Sequence, residues 1–319
     1  MNELKKRSEV VFLYDVRDAN PNGDPIDENK PRIDSEKGIN IVTDVRLKRT
    51  IRDYLANHLE LDIWLIEETS KDGSRKTREE KLDEIGISSK DNAKNLLEKY
   101  IDLRLFGATI ASKKKDEGEK GERVFTWIGP VQFKFGRSLH EVDTFYIKGT
   151  SVLPTKVKKS GGAFTEMYIL PYSLIAFYGI INENAGKLTA LKEQDVDLLM
   201  DGIWNGTKNL ITRSKVGQIP RFLIKVDYSE NSYHIGGLDE KITLVSEKAG
   251  RDIRKISDYK LDVTELKEIL EANKKKIARI GLEVDESVTF MVNGEHVKGK
   301  NIIEKLGVGL PIEKLNLDK

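Results

Sequence analysis

The stretch that decides the fold reads Asp-Val-Arg-Asp-Ala-Asn-Pro-Asn-Gly-Asp-Pro over residues 15–25, and resumes as Val-Thr-Asp-Val-Arg-Leu-Lys-Arg-Thr-Ile-Arg-Asp-Tyr over residues 42–54. The β-branched and aromatic residues 9–16 that lead into it predict a buried strand. Two prolines and Asn-Gly then force turns. Thr43 is the predicted N-cap of a helix that extends to about Leu59, because Asp44 lies favourably in its first turn. The stretch therefore predicts a strand, a turn and a helix in succession.

At about 100° per residue, this helix separates its apolar side chains from its cations. The apolar side, suited to packing on a sheet, contains Leu47, Ile51, Tyr54 and Leu55. The opposite arc contains Arg46, Lys48, Arg49 and Arg52, which outnumber the neighbouring acids Asp44, Asp53 and Glu60. Such an arc is also typical of a solvated face. The excess of cations favours a second interpretation, a row of donors for the phosphates of a single nucleic-acid strand.

Composition excludes several classes of protein. The 54 Lys and Arg residues nearly balance the 53 Asp and Glu residues of the 319-residue chain, so only a locally basic face can bind a polyanion. The absence of cysteine excludes disulfides, thiolate zinc sites and a cysteine nucleophile. The start of the chain lacks the apolar core of a signal peptide, and no run is long enough for a membrane span. We therefore expect a cytoplasmic protein that does not enter a membrane.

The remaining pattern predicts an α+β fold. Residues 62–122 mix charged helical pieces with a flexible run and are typical of an insertion. The later core elements are a bent strand at 124–135, a strand at 167–182, a helix at 188–210 and a strand at 220–228. With the first strand and helix, these give the β-α-β-β-α-β order of a ferredoxin-like or RNA-recognition-motif-like domain. Beyond this core, the pattern predicts a strand at 233–245, a helix at 263–280 and a strand at 287–292.

Two further basic segments accompany the helix. Residues 148–163 combine Lys148, Lys156, Lys158 and Lys159 with terminal glycines and contain no acid, as in an exposed loop or hairpin. Residues 207–221 contain Lys208, Arg213, Ser214, Lys215, Gln218 and Arg221. Each segment is a weak signal alone. Together with the helix they predict a polyanion-binding surface built from three separate parts of the chain.

Acidic residues near the end of the first strand support a competing hypothesis. Asp15, Asp18, Asp24 and Asp34 lie where a metal-dependent nuclease could place its ligands. Turn formation explains Asp18 and Asp24 equally well, and no Asp-x-Asp or Glu-x-x-His pairing accompanies them. The four histidines are scattered, so a histidine base with a partner acid is not visible in the sequence.

Four motifs resemble the backbone subunit of type I CRISPR Cascade complexes, the Cas-seven family. They are Asn-Pro-Asn-Gly-Asp-Pro at 20–25, Lys-Pro-Arg-Ile-Asp at 30–34, the helix motif at 42–54 and Gly-Arg-Ser at 136–138. The most similar variant is the Csh-type protein of subtype I-B, followed by the Csd-type protein of subtype I-C. The resemblance covers most of the chain and is most specific in its first 54 residues.

The resemblance implies a hand-shaped RAMP fold. Residues 1–61 and 123–228 would form a modified RNA-recognition-motif palm, 62–122 a helical fingers insertion, 149–165 a protruding thumb, and 229–319 an appendix packed on the palm. Several copies would polymerise along a CRISPR RNA, alongside other Cascade subunits, and present the guide for pairing with a target DNA strand.

The resemblance also implies site residues. Arg46, Lys48, Arg49 and Arg52 inherit phosphate contacts from the family's RNA-gripping helix. The turn residues Asn20 and Asn22, and the strand-end residues Gln132, Arg137 and Ser138, would line the same face. The resemblance implies no catalytic residue, metal or cofactor. The alternatives are a metal-dependent RNase and a repeat-processing endoribonuclease of the RAMP superfamily.

Overall fold

A computed structural model of the chain describes residues 3–70, 72–86, 94–112, 123–150, 164–307 and 309–317. The strands in the first half are β1 (Ser8–Ala19), β2 (Gly23–Asp24), β3 (Lys30–Pro31), β4 (Ile33–Asp34), β5 (Ile39–Val42), β6 (Gly107–Ser112), β7 (Arg123–Ile128), β8 (Val131–Phe133), β9 (Gly136–Glu141) and β10 (Phe145–Thr150). Those in the second half are β11 (Phe164–Ile181), β12 (Ile219–Tyr228), β13 (Thr243–Val245), β14 (Lys260–Asp262), β15 (Ile277–Val284), β16 (Thr289–Val292), β17 (Glu295–Lys298) and β18 (Ile312–Lys314). The helices are α1 (Asp44–Asn57), α2 (Arg78–Glu84), α3 (Lys94–Lys99), α4 (Ile101–Phe106), α5 (Glu183–Thr189), α6 (Glu193–Lys208), α7 (Thr264–Ala272) and α8 (Ile302–Leu306).

The main sheet is built around β1. Its strand order is β18-β15-β12-β1-β11-β9-β5-β4, and β8 and β10 also pair with β11. β1 runs antiparallel to both neighbours, with Phe12 opposite Phe177 on β11 and opposite Leu223 on β12. The core connection is β1, α1, β8 and β9, β11, α6 and β12, which is the predicted β-α-β-β-α-β order. The predicted α+β class is confirmed.

Helices α1 and α6 cover one face of this sheet. Leu47, Ile51 and Leu55 of α1 are buried in one cluster with Phe12 and Phe177 of the sheet, as the helix pattern predicted. The helices also pack closely on each other through glycines of α6. A Cβ added to Gly202 would lie 2.9 Å from Ile51 Cγ2, so this contact requires a residue without a side chain. α1 is therefore held in place by both the sheet and α6.

The opposite face of the sheet is also buried. Leu13 of β1 and Leu174 of β11 belong to a second apolar cluster with Leu266 and Phe290, which lie after residue 228. β15 pairs directly with β12, so the sheet continues past the boundary expected at residue 228. Side chains alternate along a strand, and β1 therefore supplies both clusters at once.

The expected elements after residue 228 are partly wrong. Residues 238–241 form a 3-10 helix, and only Thr243–Val245 is a strand, because Gly236 and Gly237 adopt positive φ angles that interrupt extension. The expected helix at 263–280 ends at Ala272, and its last residues belong to β15. β-Branched Ile277 and Ile280 fit a strand better than a helix. The strand expected at 287–292 is observed as β16.

The inserted residues share a small core with β7. Its buried members include Trp64, Leu82, Leu96, Tyr100, Leu103, Ile110 and Phe125. β6 and β7 pair as a separate two-stranded sheet. The single bent strand expected at 124–135 is thus two strands in different sheets, because the chain changes direction at Gly129, where a Cβ would overlap the backbone of Phe106. The helix expected at 188–210 is likewise interrupted, at Ala190 with a φ of 56°.

Candidate nucleic-acid interface

The start of α1 is tied to the preceding turn by Asn22. Its Oδ1 accepts hydrogen bonds from the Thr43 backbone N–H at 2.8 Å and from the Thr43 hydroxyl at 2.9 Å. The Thr43 side chain in turn accepts from the backbone N–H of Arg46, so Thr43 is the N-cap that the sequence predicted. Asn22 is therefore a positioning residue that fixes where the first cations of α1 point.

The same turn is joined to the segment after α6. The backbone N–H of Asn20 donates to the carbonyl of Ser214 at 2.8 Å. The Asn20 side chain is buried and donates to the carbonyl of Asn29 at 2.7 Å. Three parts of the chain thus meet here: the turn, the start of α1, and the loop around Ser214.

Two partly buried cations from different parts of the chain lie at this junction, near enough for the charge of Arg46 to act on Lys215. Arg46 of α1 donates to Thr50 Oγ1 at 3.0 Å, while its Nε is buried without a hydrogen-bond partner. Lys215 lies on the loop after α6. Burial lowers the pKa of the Lys215 ammonium, and the charge of Arg46 lowers it further. Burial likewise lowers the pKa of Arg46, while the charge of Asp53 acts in the opposite direction.

Within the described ranges, no carboxylate forms an ion pair with Arg46 or with Lys215. Most other half-buried cations of this chain have such a partner, for example Arg7 with Glu183 at 2.8 Å. The carboxylate of Asp53 acts favourably on Arg46, whereas Lys215 experiences the repulsive charge of Arg46, and an anion near both cations would relieve that repulsion. The arrangement fits one phosphate group of a polyanion.

The other cations of α1 are differently occupied. Lys48 is mostly buried and contacts Asp44 at 3.0 Å and Gln132 at 3.1 Å. Arg49 is half exposed and pairs with Asp53 at 2.6 Å. Both lie on the predicted side of the helix. The half-exposed Arg49 can exchange Asp53 for a phosphate, since exposed ion pairs are weak, whereas Lys48 is held by its partners in a mostly buried position.

Arg52 does not lie on an exposed arc, and that part of the prediction is wrong. It is buried, and its Nε donates to Asp102 Oδ2 at 3.0 Å. The fully buried Asp102 also accepts backbone hydrogen bonds from Trp64 at 2.8 Å and Leu65 at 3.1 Å. Arg52 therefore connects α1 to the inserted residues.

The three predicted strand-end residues have three different environments. Gln132 is exposed and accepts from Lys48, which places it beside α1. Arg137 is half exposed and pairs with Asp34 at 3.2 Å. Ser138 is buried, where it donates to the His140 carbonyl at 2.7 Å and accepts from the Asn40 N–H at 2.8 Å. Ser138 thus holds β9 and β5 together, and the expectation that it lines an open face is wrong.

The basic segment 207–221 is also divided by the structure. Lys208 and Arg213 are exposed, and Arg213 Nη2 reaches Thr165 Oγ1 of β11 at 3.5 Å. Arg221 is buried and pairs with Asp15 and Asp285, both at 2.8 Å. Arg221 therefore belongs to the core. The basic side chains Lys156, Lys158 and Lys159, like most of the expected thumb, lie outside the described residues.

The aspartates of the competing metal hypothesis are separated. Asp15 is buried with Arg221 and accepts from the Tyr172 hydroxyl at 2.6 Å, and burial raises the pKa of its carboxyl. Asp18 is exposed with a φ of 49°, and Asp24 pairs with Arg32 at 2.6 Å. No group of three or more potential metal ligands occurs among the described residues.

The geometry decides which surface can meet a nucleic acid. In RNA-recognition motifs, bases stack on aromatic residues of the open sheet face. Here that face is covered by Leu266, Phe290 and their neighbours, and the other face by α1 and α6. The junction of turn, α1 and loop is therefore the candidate surface for a nucleic acid, since both faces of the sheet are covered.

Lys215 is the site residue that sequence reasoning did not single out. It lies inside the predicted basic segment, which was a usable signal. Its position near Arg46 depends on the Asn20–Ser214 hydrogen bond between distant parts of the chain, which no local pattern encodes.

Among the described helices, none has both the length and the apolar composition needed to cross a membrane.

Comparison with known proteins identifies similar chains. The family model described as "CRISPR-associated protein Cas7" matches residues 6–264. A "CRISPR-associated protein Cas7" from Haloferax volcanii is 34% identical over 313 residues, covering 92% of this chain and 91% of that protein. A solved structure titled "CRISPR RNA-guided surveillance complex, pre-nicking" contains a chain with a similar fold. It has a TM-score of 0.53 and 12% identity, and covers 97% of this chain and 96% of that one. A chain of a second "CRISPR RNA-guided surveillance complex" has a TM-score of 0.50 and 13% identity, over 88% of this chain and 89% of that chain.

Proposed function

The chain belongs to the CRISPR-associated Cas7 family, and we propose that it is a non-catalytic, RNA-binding backbone subunit of a type I Cascade surveillance complex. In this role it polymerises along the spacer of a CRISPR RNA in the cytoplasm. It presents the guide to a target DNA strand and contacts other Cascade subunits. The titles of the two structural neighbours, which name RNA-guided surveillance complexes, support this proposal.

The observation that carries the proposal is the Arg46–Lys215 junction, where neither cation forms an ion pair with a described carboxylate. Arg46 has a buried Nε without a partner, and the charge of Arg46 depresses the pKa of Lys215. A phosphodiester supplies the missing negative charge without any base-specific contact. Arg49, Lys208 and Arg213 extend the cationic surface, and Lys48 and Gln132 lie beside it.

We assign the parts of the family hand as follows. Residues 1–61 and 123–228 form the RAMP palm, 62–122 the fingers, 149–165 the thumb and 229–319 the appendix. The separate apolar core around Trp64 and Tyr100 supports the fingers as a distinct unit. The pairing of β12 with β15 means that the appendix is built onto the sheet of the palm. The sequence motifs favour subtype I-B over I-C.

Binding to single-stranded RNA over a range of salt concentrations tests the proposal. Arg46→Ala and Lys215→Ala should each weaken binding of unrelated sequences about equally. Each should also lower the slope of log affinity against log salt by roughly one, since one phosphate contact is lost. Lys298→Ala, at an exposed lysine of β17, is the matched control and should bind as the wild type does. Loss confined to particular bases would contradict phosphate recognition.

Polymerisation has its own test. Native mass measurements on RNAs of increasing length should show the number of bound copies rising stepwise with length. A single bound copy at every length, with one cut in a repeat hairpin, is the result expected of a repeat-processing endoribonuclease.

The non-catalytic assignment is tested with Mg²⁺ or Mn²⁺ present. Guide and target RNA should remain intact. Cuts at regular spacing that are abolished by Asp18→Ala or Asp24→Ala would establish the metal-dependent RNase instead. Asp15→Ala is a poor test, because it leaves Arg221 buried without one of its carboxylate partners.

A further inference from the structure

A two-stranded ribbon extends from the main sheet beside the cationic junction. β10 pairs only with the first half of β11, with Tyr146 directly opposite Tyr168. Because side chains alternate, Phe145 and Ile147 lie on one face of the ribbon, and Tyr146 and Lys148 on the other. The ribbon therefore has an apolar face and an aromatic, polar face.

The two tyrosines form an exposed aromatic pair. Their ring centroids are 5.0 Å apart and the rings are tilted by 44°. The Tyr168 hydroxyl donates to Glu28 at 3.0 Å, and Lys30 Nζ lies 5.2 Å from the Tyr168 ring centroid. These contacts fix Tyr168 against the turn that follows β2. Tyr146 remains 49% exposed and offers the outer ring of the pair.

Each cation beside the pair has an acidic partner, and Lys30 has a second one in Asp27 at 2.7 Å. Glu28 lies 3.4 Å from Lys30, and Glu166 lies 3.8 Å from Lys148. The Tyr146 phenol is hydrogen-bonded to Glu166, which raises its pKa. A phosphate gains little at a surface without excess positive charge, whereas an uncharged planar base gains an aromatic partner.

The ribbon is joined to both sides of the Arg46–Lys215 junction. On one side, Lys30 packs on Tyr168, and the next cation, Arg32, donates its backbone N–H to the Asn22 carbonyl at 3.3 Å. On the other side, Arg213 of the loop reaches Thr165 on β11. The aromatic pair thus borders the cationic surface along one continuous set of contacts.

We propose that Tyr146, supported by Tyr168, is a stacking platform for an unpaired base of the RNA strand whose phosphates bind at Arg46 and Lys215. The inference rests on the proposed function. Aromatic rings beside a cationic track are the combination that binds single strands without sequence preference. The competing occupant of this face is a protein partner, and the exposed Arg213, which reaches Thr165 on the same ribbon, favours the nucleic acid.

The test compares variants on the two faces of the ribbon. Tyr146→Leu should weaken binding of a short oligoadenylate about tenfold, as expected for one lost base stack. Tyr146→Phe should retain the wild-type affinity, since the ring remains. Phe145→Leu, at a similarly exposed ring on the opposite face, is the matched control and should also bind normally. Thermal melts of all three variants check that the ribbon still folds.

An abasic strand of the same length separates stacking from charge. Wild type and Tyr146→Leu should bind it equally. If Tyr146→Leu loses the same affinity for the abasic strand as for the normal strand, the stacking platform is overturned. It is also overturned if Tyr146→Leu keeps its RNA affinity but loses association between copies, because this face would then be a protein contact. If the wild type binds neither strand, the proposed function itself fails.

Discussion

Arg52 on α1 donates a 3.0 Å hydrogen bond to Asp102, a fully buried carboxylate on α4. Asp102 uses its remaining acceptor capacity on the backbone N–H groups of Trp64 and Leu65. One carboxylate thus links α1 with two segments of the insertion. The contact explains why a helix with four cations offers fewer than four to a ligand.

Breaking this pair should be costly for stability. Asp102→Ala leaves the Arg52 guanidinium and two backbone N–H groups buried without an acceptor, so we expect a loss of about 3–5 kcal/mol in urea unfolding. Asp53→Ala is the matched control, since it removes the partner of half-exposed Arg49 and should cost at most about 1 kcal/mol. Equal costs for the two variants would contradict a buried structural role for Arg52.

Removing the positive charge of Lys215 should separate stability from binding. In the free protein, Lys215→Met relieves repulsion with Arg46 and should stabilise the fold. We expect a gain of roughly 0.5–2 kcal/mol in the free energy of unfolding, the range common for single stabilising substitutions. The same variant should bind RNA more weakly. Urea unfolding and RNA titration measure the two effects. Lys215→Arg keeps the charge, so it should neither weaken RNA binding nor increase stability. A Lys215→Met variant that is less stable than the wild type would refute the repulsion.

Asn22 should act on binding through the helix start. Asn22→Ala removes the acceptor of two Thr43 donors and should cost about 1–3 kcal/mol in unfolding free energy. Asn22→Asp keeps the acceptor oxygen and serves as the control. Because Asn22 is proposed to position cations rather than to neutralise phosphate, the salt dependence of RNA binding by Asn22→Ala should keep its wild-type slope. A reduced slope would assign Asn22 a direct part in the ionic contacts.

His140 should make the fold sensitive to mild acid. Its Nε2 accepts from the Leu174 N–H at 3.2 Å and its Nδ1 lies 2.8 Å from the Glu141 carbonyl, so the neutral ring fits the site. Burial lowers its pKa below the ordinary 6.5. Below pH 6.5 the unfolded chain therefore takes up a proton that the folded chain does not. Stability should be complete above this pH and fall as the pH decreases.

The measurement is urea unfolding between pH 7.5 and the lowest pH at which the protein folds. One such group changes the free energy of unfolding by at most about 1.4 kcal/mol per pH unit. His140→Gln should flatten the dependence just below pH 6.5, whereas His296→Gln, at an exposed histidine of β17, should not. Identical profiles for the wild type and His140→Gln would assign the acid sensitivity to other groups.

Much of the fold could be predicted because its signals are local. The β-branched run of β1, the prolines after it and the Thr43 N-cap act within a few residues, and the structure agrees with all three. Predictions failed where the chain changes sheets, as at Gly129, or changes element type, as at Ile277. Those outcomes depend on which distant strand offers a pairing edge.

The residue types of the candidate site could be predicted from the sequence, but their spatial arrangement could not. By itself, the sequence determined that cations cluster at the start of α1 and after α6, and that an Asn-rich turn precedes the helix. Only the tertiary structure decided which of these charges remain available. Arg52 and Arg221 are neutralised by Asp102 and Asp15, whereas neither Arg46 nor Lys215 forms an ion pair with a carboxylate in the described part of the chain. Burial and pairing are long-range properties, because the free energy of a charge depends on the carboxylates and the solvent that folding places around it.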